Sequence, residues 1–463
     1  MSDLGSFSQS ADMAVAIEHS AAFHRDLVAQ TIREAVAGDG VYIIDRSGRR
    51  FLDGSSGSGP SCLGHSNAAV RAAMHAQIDR IAYAHTAFFT SAPMEELADN
   101  LIADAPGKLS HVWFTNSGAE AADAALKLTR QYFVDKGEPE RQIIIGRRAG
   151  YVGSTLAGLA AGGSDIRRKP FLPMLPTNTA HIGPAYAYRG MQDGETVDDF
   201  SMRSARELET KIEELGPSRV AAFICETIVG STLGAVPAPE GYFREIRRIC
   251  DRHGILLILD EVMCGMGRTG SRYAFTEEGA CPDLVMIGKA LAGGYAPLGA
   301  VLVSADIHDA IRDRTGFFWH GHSFHGHTLA CTAALAVQHE IRDRDLYPNI
   351  RTAGDHLDWL LHERFAEHPH VGDIRGRGLM QGIEIVAHRP TKRNFDASRQ
   401  IHARLTRHAL DLGLICYASG PSPESGVGDH VLLMPPYIVE PHHIEEIVDK
   451  LGQALDRALE EAV

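Results

Sequence analysis

Short apolar runs alternate with helical stretches from about residue 65 to about residue 340. Each run has four to six residues and is rich in Val, Ile, Leu or Ala, as is typical of strands buried within a parallel sheet. Such alternation predicts βαβ units, in which a helix connects each strand to the next. The predicted strands lie at residues 112–115, 142–145, 220–225, 255–259, 284–287 and 299–303.

The pattern changes toward both ends of the chain. Two apolar segments flank Ser47-Gly48 and predict a β-hairpin, whereas the first forty residues look peripheral and predict short helical pieces. After residue 340, helices mix with isolated strands, which is typical of an α+β domain. The helices are predicted around 351–366, 397–411 and 440–460, and the strands near 379–385 and 431–434.

These patterns divide the chain into three parts. Residues 76–335 are predicted to form a large domain, and residues 336–463 a smaller one. Residues 1–75 are predicted to return to the smaller domain and to complete it.

The composition excludes several kinds of partner. The 463 residues carry a formal net charge of −14, whereas binding to nucleic acid or to an acidic membrane requires a basic face. The seven cysteines are scattered without close pairs, which favours reduced thiols over disulfides or a zinc site. The N-terminal residues lack the features of a secretory signal, and no apolar stretch is long enough to span a bilayer. The expected compartment is therefore the cytoplasm.

Two strand ends carry the residues with the clearest chemistry. Asp260 closes the apolar run 255–259, and Lys289 follows the run 284–287. Ligands of parallel sheets bind beyond the carboxyl ends of the strands. A lysine there can bond covalently to pyridoxal 5′-phosphate (PLP), while an aspartate keeps the pyridine nitrogen of PLP protonated. The stretch Thr115-Asn-Ser-Gly-Ala-Glu120 lies between a strand and an Ala-rich helix, where backbone amides can bind phosphate.

In their order along the chain, these features resemble the class III aminotransferases, a family of fold-type I PLP enzymes. The resemblance runs from about residue 35 to the C-terminus and is densest in 259–270 (LDEVMCGMGRTG), 287–294 (IGKALAGG) and 375–384 (RGRGLMQGIE). It implies an α/β fold with a mostly parallel seven-stranded sheet in the large domain, a smaller α+β domain, and PLP as the cofactor.

The resemblance also implies roles for individual residues. Lys289 would hold PLP as a Schiff base and move a proton to and from the substrate carbon, and Asp260 would pair with the pyridine nitrogen. Ser323 matches a threonine that reaches the phosphate of a neighbouring subunit, which implies a homodimer with shared sites and allows a tetramer. The other implied cofactor-binding residues are Ser117, Gly118 and Ala119 at the phosphate, Tyr151 at the ring, Val262, and the active-site glutamate Glu226.

Several positions depart from the family pattern. Met263 stands where some relatives have a glutamine near the phenolic oxygen of the cofactor. The arginines that bind substrate carboxylates in two branches of the family are absent, because Leu432 and Tyr417 occupy those positions. A substrate carboxylate then needs another partner. The candidates in the sequence are Arg375, Arg377 and a main-chain site.

Two further groups of residues have an open interpretation. The histidines at 320, 322, 325 and 327 are close in sequence, but their spacing fits no regular helix or strand pair and no cysteine or carboxylate completes the set. No metal site is therefore predicted. Phe88 and Phe89 occupy a region that lines the substrate channel in relatives, and core or interface packing explains them equally well.

The predicted activity is transfer of an amino group from an amine to a keto acid, such as pyruvate or 2-oxoglutarate. By resemblance to the family, the expected donor has a terminal amine, as an ω-amino acid or a diamine does. An aminomutase, racemase or epimerase on the same scaffold is the main alternative, and it needs no second keto acid. A PLP-binding protein without catalysis is the third hypothesis, and no amine would change its cofactor spectrum.

Overall fold

The computed structural model describes residues 14–16, 20–26, 31–422 and 426–462. The strands in this part of the chain are β1 (Ala14–Ala16), β2 (Thr31–Arg33), β3 (Ala35–Asp39), β4 (Tyr42–Asp45), β5 (Arg50–Asp53), β6 (Leu109–Thr115), β7 (Ile143–Arg147), β8 (Thr179–Ile182), β9 (Val220–Glu226), β10 (Ile228–Val229), β11 (Val236–Pro237), β12 (Leu256–Asp260), β13 (Leu284–Ile287), β14 (Gly299–Ser304), β15 (Val371–Arg377), β16 (Met380–Ile385), β17 (Leu414–Ile415), β18 (Tyr417–Ser419) and β19 (Asp429–Leu433). The α-helices are α1 (Ala68–Ile78), α2 (Ala92–Ala103), α3 (Gly118–Asp135), α4 (Leu156–Ala161), α5 (Asp165–Arg168), α6 (Ala187–Gly190), α7 (Val197–Leu215), α8 (Tyr242–His253), α9 (Ala305–Arg314), α10 (Thr328–Asp343), α11 (Leu346–Phe365), α12 (Ile401–Asp411) and α13 (Pro441–Glu460).

A seven-stranded sheet in the order β6-β14-β13-β12-β9-β7-β8 lies at the centre of the fold. Four of its neighbouring pairs are parallel, and β14 runs antiparallel to both of its neighbours. Every residue of β9, β12, β13 and β14 is buried, which explains their nearly continuous apolar sequences. The predicted α/β fold with a mostly parallel seven-stranded sheet is confirmed.

The strands predicted from the apolar runs are all present, as β6, β7, β9, β12, β13 and β14. The sheet also contains the edge strand β8, which no apolar run predicts, because its sequence Thr-Ala-His-Ile is half polar and only Ile182 in it is buried. An edge strand packs against one neighbour alone, so its sequence does not need a continuous apolar run.

Helices cover both faces of the central sheet. On one face, α3 packs a row of fully buried alanines against residues such as Ile224 and Ile258. The intervening strand residues, such as Phe223 and Leu257, belong to a larger core shared with α8 and α10. Small side chains let α3 lie close to the sheet, and this packing fixes the N-terminus of α3 near the carboxyl ends of the strands.

Two four-stranded sheets contain most of the remaining strands. One is antiparallel, in the order β15-β16-β19-β18, and the other has the order β17-β5-β4-β3. In the second sheet, Leu414 of β17 pairs in parallel with Leu52 of β5, so distant parts of the chain share one sheet. The hairpin predicted around Ser47-Gly48 is confirmed as β4 and β5. The helices α11, α12 and α13 and the strands β16 and β19 also match predicted elements.

The helical pieces predicted for the first forty residues are wrong where the structure describes that segment. Ala35–Asp39 forms β3 and pairs with β4 across a turn at Gly40, which has a φ of +55°. Glycine adopts this left-handed conformation without steric cost. The alanines in the segment favour helix locally, but pairing with a neighbouring strand outweighs this weak preference.

All seven cysteines have free thiols, as expected, and Cys281 alone among them is exposed. Within the described ranges, no helix is both long enough and apolar enough to cross a bilayer.

Candidate active site

Two carboxylates lie side by side at the carboxyl edge of the central sheet. Glu226 ends β9 and Asp260 ends β12, and the two residues are direct partners in the parallel register of these strands. Paired positions on neighbouring strands place their side chains on the same face. Both side chains are buried, so the two negative charges interact strongly through a poorly screened environment.

Glu226 is held by backbone amides from two separate segments. Tyr151 N–H donates to its Oε2 and Gly230 N–H donates to its Oε1, each over 2.9 Å. These hydrogen bonds favour the charged form, yet burial has the larger effect and raises the pKa of the Glu226 carboxyl. The backbone around Tyr151 and Gly230 is therefore fixed at the site through this one carboxylate.

Asp260 has a strongly perturbed carboxyl group. Burial, and then the neighbouring charge of Glu226, raise its pKa to about 7, while Lys289 and a 2.9 Å hydrogen bond from Val262 N–H act in the opposite direction. The protonation state of Asp260 thus depends on the positive charge placed beside it. A carboxyl group of this kind responds to a cationic ligand near neutral pH.

Lys289 follows β13 and brings an amine to the same edge. Burial lowers its pKa to about 8, although the charges of Asp260 and Glu226 work to raise it. Its φ of +48° lies in the left-handed region, a conformation that is strained for a residue with a side chain and is common at functional sites. Gly59 lies against this side chain, since a Cβ on Gly59 would be 3.4 Å from Lys289 Cδ.

The N-terminus of α3 forms the third part of the site. Ser117 caps the helix and its Oγ accepts from Glu120 N–H over 3.2 Å, which leaves the Ser117 hydroxyl hydrogen available to donate. The first amides of a helix have no acceptor within the helix, and the helix dipole attracts negative charge to this end. The stretch 117–119 can therefore bind a phosphate group.

Close backbone contacts shape this end of α3. A Cβ on Gly118 would lie 2.7 Å from a methyl carbon of Val262, and a Cβ on Gly153 would lie 3.0 Å from Ala119 Cα. Neither contact leaves room for a side chain on the glycine. The segments that follow β7 and β12 thus converge on the predicted phosphate site, and Val262 lies between that site and Asp260.

Ser323 lies apart from the other predicted site residues. It is exposed, and its carbonyl oxygen accepts from Tyr83 Oη over 2.7 Å. Among the described residues, no hydrogen bond joins it to the N-terminus of α3 or to Lys289. The structure thus brings together Ser117, Gly118, Ala119, Tyr151, Glu226, Asp260, Val262 and Lys289, but not Ser323.

The arginines suggested by the sequence for a substrate carboxylate are already engaged. Arg375 is buried, donates to Gly234 O over 2.8 Å and lies 3.1 Å from a carboxylate oxygen of Asp373. Arg377 pairs with Glu278 over 2.7 Å. Neither guanidinium group is free to bind a substrate.

Arg167 lies near the site and is not predicted from the sequence. The guanidinium carbon of Arg167 lies 4.6 Å from the centroid of the Tyr151 ring. Arg167 is 16 residues from Tyr151 and lies in a four-residue helix, so neither a motif nor a periodic pattern marks it.

Comparison with known proteins places the chain in one family. The model of the family Aminotransferase class-III matches residues 26–455. An aminotransferase of Gibberella zeae is 41% identical over 421 residues, covering 90% of this chain and 82% of the relative. The putrescine–pyruvate aminotransferase of Pseudomonas aeruginosa is 33% identical over 90% of this chain and 89% of the relative. The crystal structure of an ω-transaminase from Pseudomonas jessenii in complex with PMP has a TM-score of 0.90 at 31% identity, covering 96% of this chain and 97% of that one.

The likeness extends through the central sheet, the smaller sheets and the segments that carry the candidate site. Since the family model spans nearly the entire chain, the protein belongs to the class III aminotransferases, enzymes that use pyridoxal phosphate to transfer an amino group from an amine donor to a keto acid.

Proposed function

We propose that this aminotransferase takes the amino group from a donor with a terminal primary amine, an ω-amino acid or a diamine, and gives it to pyruvate or 2-oxoglutarate. The observation that carries the chemistry is the group of Lys289, Asp260 and Glu226, an amine with a lowered pKa next to two carboxylates at neighbouring strand ends. The similarity to a putrescine–pyruvate aminotransferase supports the donor class and one of the acceptors.

The residues present fit PLP. The stretch 117–119 offers helix amides and a hydroxyl to the phosphate, and the close contacts of Gly118 and Gly153 keep side chains out of that cradle. Asp260 offers a carboxylate to a protonated ring nitrogen. Lys289 offers an amine that can be neutral, and hence nucleophilic, near pH 8.

PLP, when bound, supplies a ring that withdraws electrons from the substrate carbon that bears the amine. The side chains manage protons and charges around that carbon. Lys289, with its pKa lowered to about 8, can take a proton and return it near neutral pH. Asp260 carries negative charge toward the pyridine nitrogen, and Glu226 reinforces that charge from the next strand. Lys289 would take a proton from the donor carbon that bears the amine in the first stage, and would give a proton to the former carbonyl carbon of the keto acid in the second.

A homodimer is part of the proposal. Phe88, Phe89, Phe324 and Trp319 are each more than half exposed, and a cleft of about 640 Å³ lies beside the first two rings. Large exposed apolar rings of this kind are typical of an association surface. We propose a second copy of the chain as the occupant, with Ser323 contributing to the partner's phosphate site.

The sheet shared by β5 and β17 supports a division of the chain into two domains. We propose that residues 76–335 form the large domain and that residues 1–75 and 336–463 form the small one, because β17 pairs with β5. We also propose a cytoplasmic location for the enzyme, on the basis of its free thiols.

The test is an absorption titration of the PLP-loaded protein with single amines and no keto acid. Putrescine, β-alanine or 4-aminobutyrate is expected to convert the cofactor spectrum, and pyruvate or 2-oxoglutarate to restore it. Lys289→Ala is the control and should show no conversion. Conversion by α-amino acids alone would refute the donor class. An unchanged spectrum with exchange of the substrate α-proton would favour an aminomutase or racemase instead.

A further inference from the structure

Arg167 contacts two of the segments that hold Glu226. Its guanidinium carbon is 4.6 Å from the centroid of the Tyr151 ring, and its Nη2 is 3.4 Å from Ser231 Oγ. The backbone of Tyr151 donates to one oxygen of Glu226, and that of Gly230, the neighbour of Ser231, donates to the other. Arg167 therefore lies at the active site and not on a remote surface.

The protein does not neutralise the charge of Arg167. Among the described residues, no carboxylate oxygen lies within the 4.0 Å of an ion pair from its nitrogens, whereas Arg375 and Arg377 are both paired with acids. The contact with Ser231 is long for a hydrogen bond and engages one of five N–H donors. A partly buried guanidinium group with free donors is suited to a carboxylate, which it can bind through two parallel hydrogen bonds.

The aromatic contact gives this guanidinium a defined orientation. A guanidinium over a tyrosine ring is attracted by the ring quadrupole, and the attraction is stronger where water is excluded. The Tyr151 backbone is itself fixed by Glu226. The orientation of Arg167 therefore depends, through Tyr151, on Glu226, the carboxylate that lies beside Asp260.

The hairpin that carries Ser231 is also held firmly. His430 is buried, with its Nε2 at 3.1 Å from Ser231 O, and Arg375 donates to Gly234 O over 2.8 Å. These contacts come from the small-domain strands β15 and β19. The backbone at Ser231 is fixed in this way, and it places the Ser231 hydroxyl next to the Arg167 guanidinium group, so that both can donate to one carboxylate.

We propose that Arg167, together with the Ser231 hydroxyl, binds the carboxylate of the substrates. The inference rests on the proposed function and deepens it. The pair would hold the distal carboxylate of 2-oxoglutarate in one stage and the carboxylate of 4-aminobutyrate in the other, because two methylene groups separate the carboxylate from the reacting carbon in both molecules. A diamine carries no carboxylate and would not use the pair. Arg167 thus binds the carboxylate that Leu432 and Tyr417 cannot bind. It makes ω-amino acids better donors than diamines.

The test compares Arg167→Gln with wild type on two donors and one acceptor. Loss of a charged double hydrogen bond should raise the KM for 4-aminobutyrate and for 2-oxoglutarate about 10- to 100-fold. The KM for putrescine should change by less than about 2-fold, because no carboxylate is bound in that stage. Arg167→Lys keeps the charge without the planar fork and should recover part of the loss. Lys169→Gln, an exposed change two residues further along the chain that removes the same charge, is the matched control and should behave as wild type.

A binding measurement separates this inference from the donor proposal. Calorimetric titration of the holoenzyme with glutarate, which has carboxylates and no amine, should show about 10-fold weaker binding for Arg167→Gln. Equal glutarate binding by wild type and Arg167→Gln would overturn the inference even if both donors are used. Failure of wild type to use putrescine or 4-aminobutyrate would refute the donor proposal, and weaker glutarate binding by the variant would still support Arg167.

Discussion

Covalent capture of PLP by the apoenzyme should follow the protonation of Lys289. Only a neutral amine attacks the aldehyde, and burial lowers the pKa of Lys289 to about 8 from an ordinary 10.5. At pH 7 about one molecule in ten then carries a neutral amine, against about one in 3,000 for an unperturbed lysine. The structure therefore predicts capture at pH 7 that is faster by about 300-fold than it would be with an exposed lysine.

The measurement is a stopped-flow absorbance record of PLP mixed with apoenzyme between pH 6 and pH 11. The rate should rise with pH and level off above a midpoint of about 8. Asp260→Asn removes a negative charge that raises the pKa of Lys289, so its midpoint should fall by roughly one unit. Lys289→Ala serves as the blank for non-specific capture. A midpoint of 10 or higher in wild type, or a higher midpoint in Asp260→Asn, would show that the buried environment described for Lys289 is incorrect.

Three further predictions concern stability, packing and assembly. Between pH 8 and pH 10.5, the unfolded chain binds a proton at Lys289 that the folded apoenzyme has released. The free energy of unfolding of the wild-type apoenzyme should therefore rise with pH by about 3 kcal/mol relative to that of Lys289→Met. Urea titrations across this pH range measure the difference, and a difference that does not change with pH would contradict the prediction. Gly118→Ala places a Cβ 2.7 Å from Val262, so it should lower the free energy of unfolding by about 1–3 kcal/mol and weaken PLP binding. A second change, Val262→Ala, should restore stability in thermal melts and binding in PLP titrations. No recovery in the double variant would mean that another contact is responsible. Phe88→Asp replaces a ring that is 79% exposed in one chain with a charge, so sedimentation velocity should show monomers while the circular dichroism spectrum stays unchanged. A dimer that persists in this variant would exclude the surface around Phe88 as the dimer interface.

The sequence predicts the central sheet well because burial on both faces forces its strands to be apolar. The Asp260 and Lys289 positions are predictable for the same reason, since each lies where an apolar run stops. Strand β8 is different, because an edge strand that is only partly buried has no such requirement. The N-terminal strand β3 depends on pairing with β4, and its local sequence does not indicate that pairing.

The parts of the site that the sequence does not reveal depend on contacts between distant segments. Arg375 looks available in the sequence, but it is committed to Asp373 and to carbonyl oxygens of the β10–β11 hairpin. Arg167 has no motif of its own, and its position against Tyr151 and Ser231 appears only when three segments meet around Glu226. Whether an arginine is paired with a carboxylate depends on the fold, and the sequence around that arginine does not predict it.

The parallel pairing of β17 with β5 has a consequence for synthesis on the ribosome. Strands β3 to β5 emerge about 360 residues before their partner at Leu414, so their outer edge stays unpaired while the whole large domain is translated and folds. Contacts this distant in sequence form slowly, and an open strand edge invites pairing with other chains. The free edge of β5 therefore stays open to other chains until residue 415 has been synthesised, and a truncation before residue 414 would leave it open permanently.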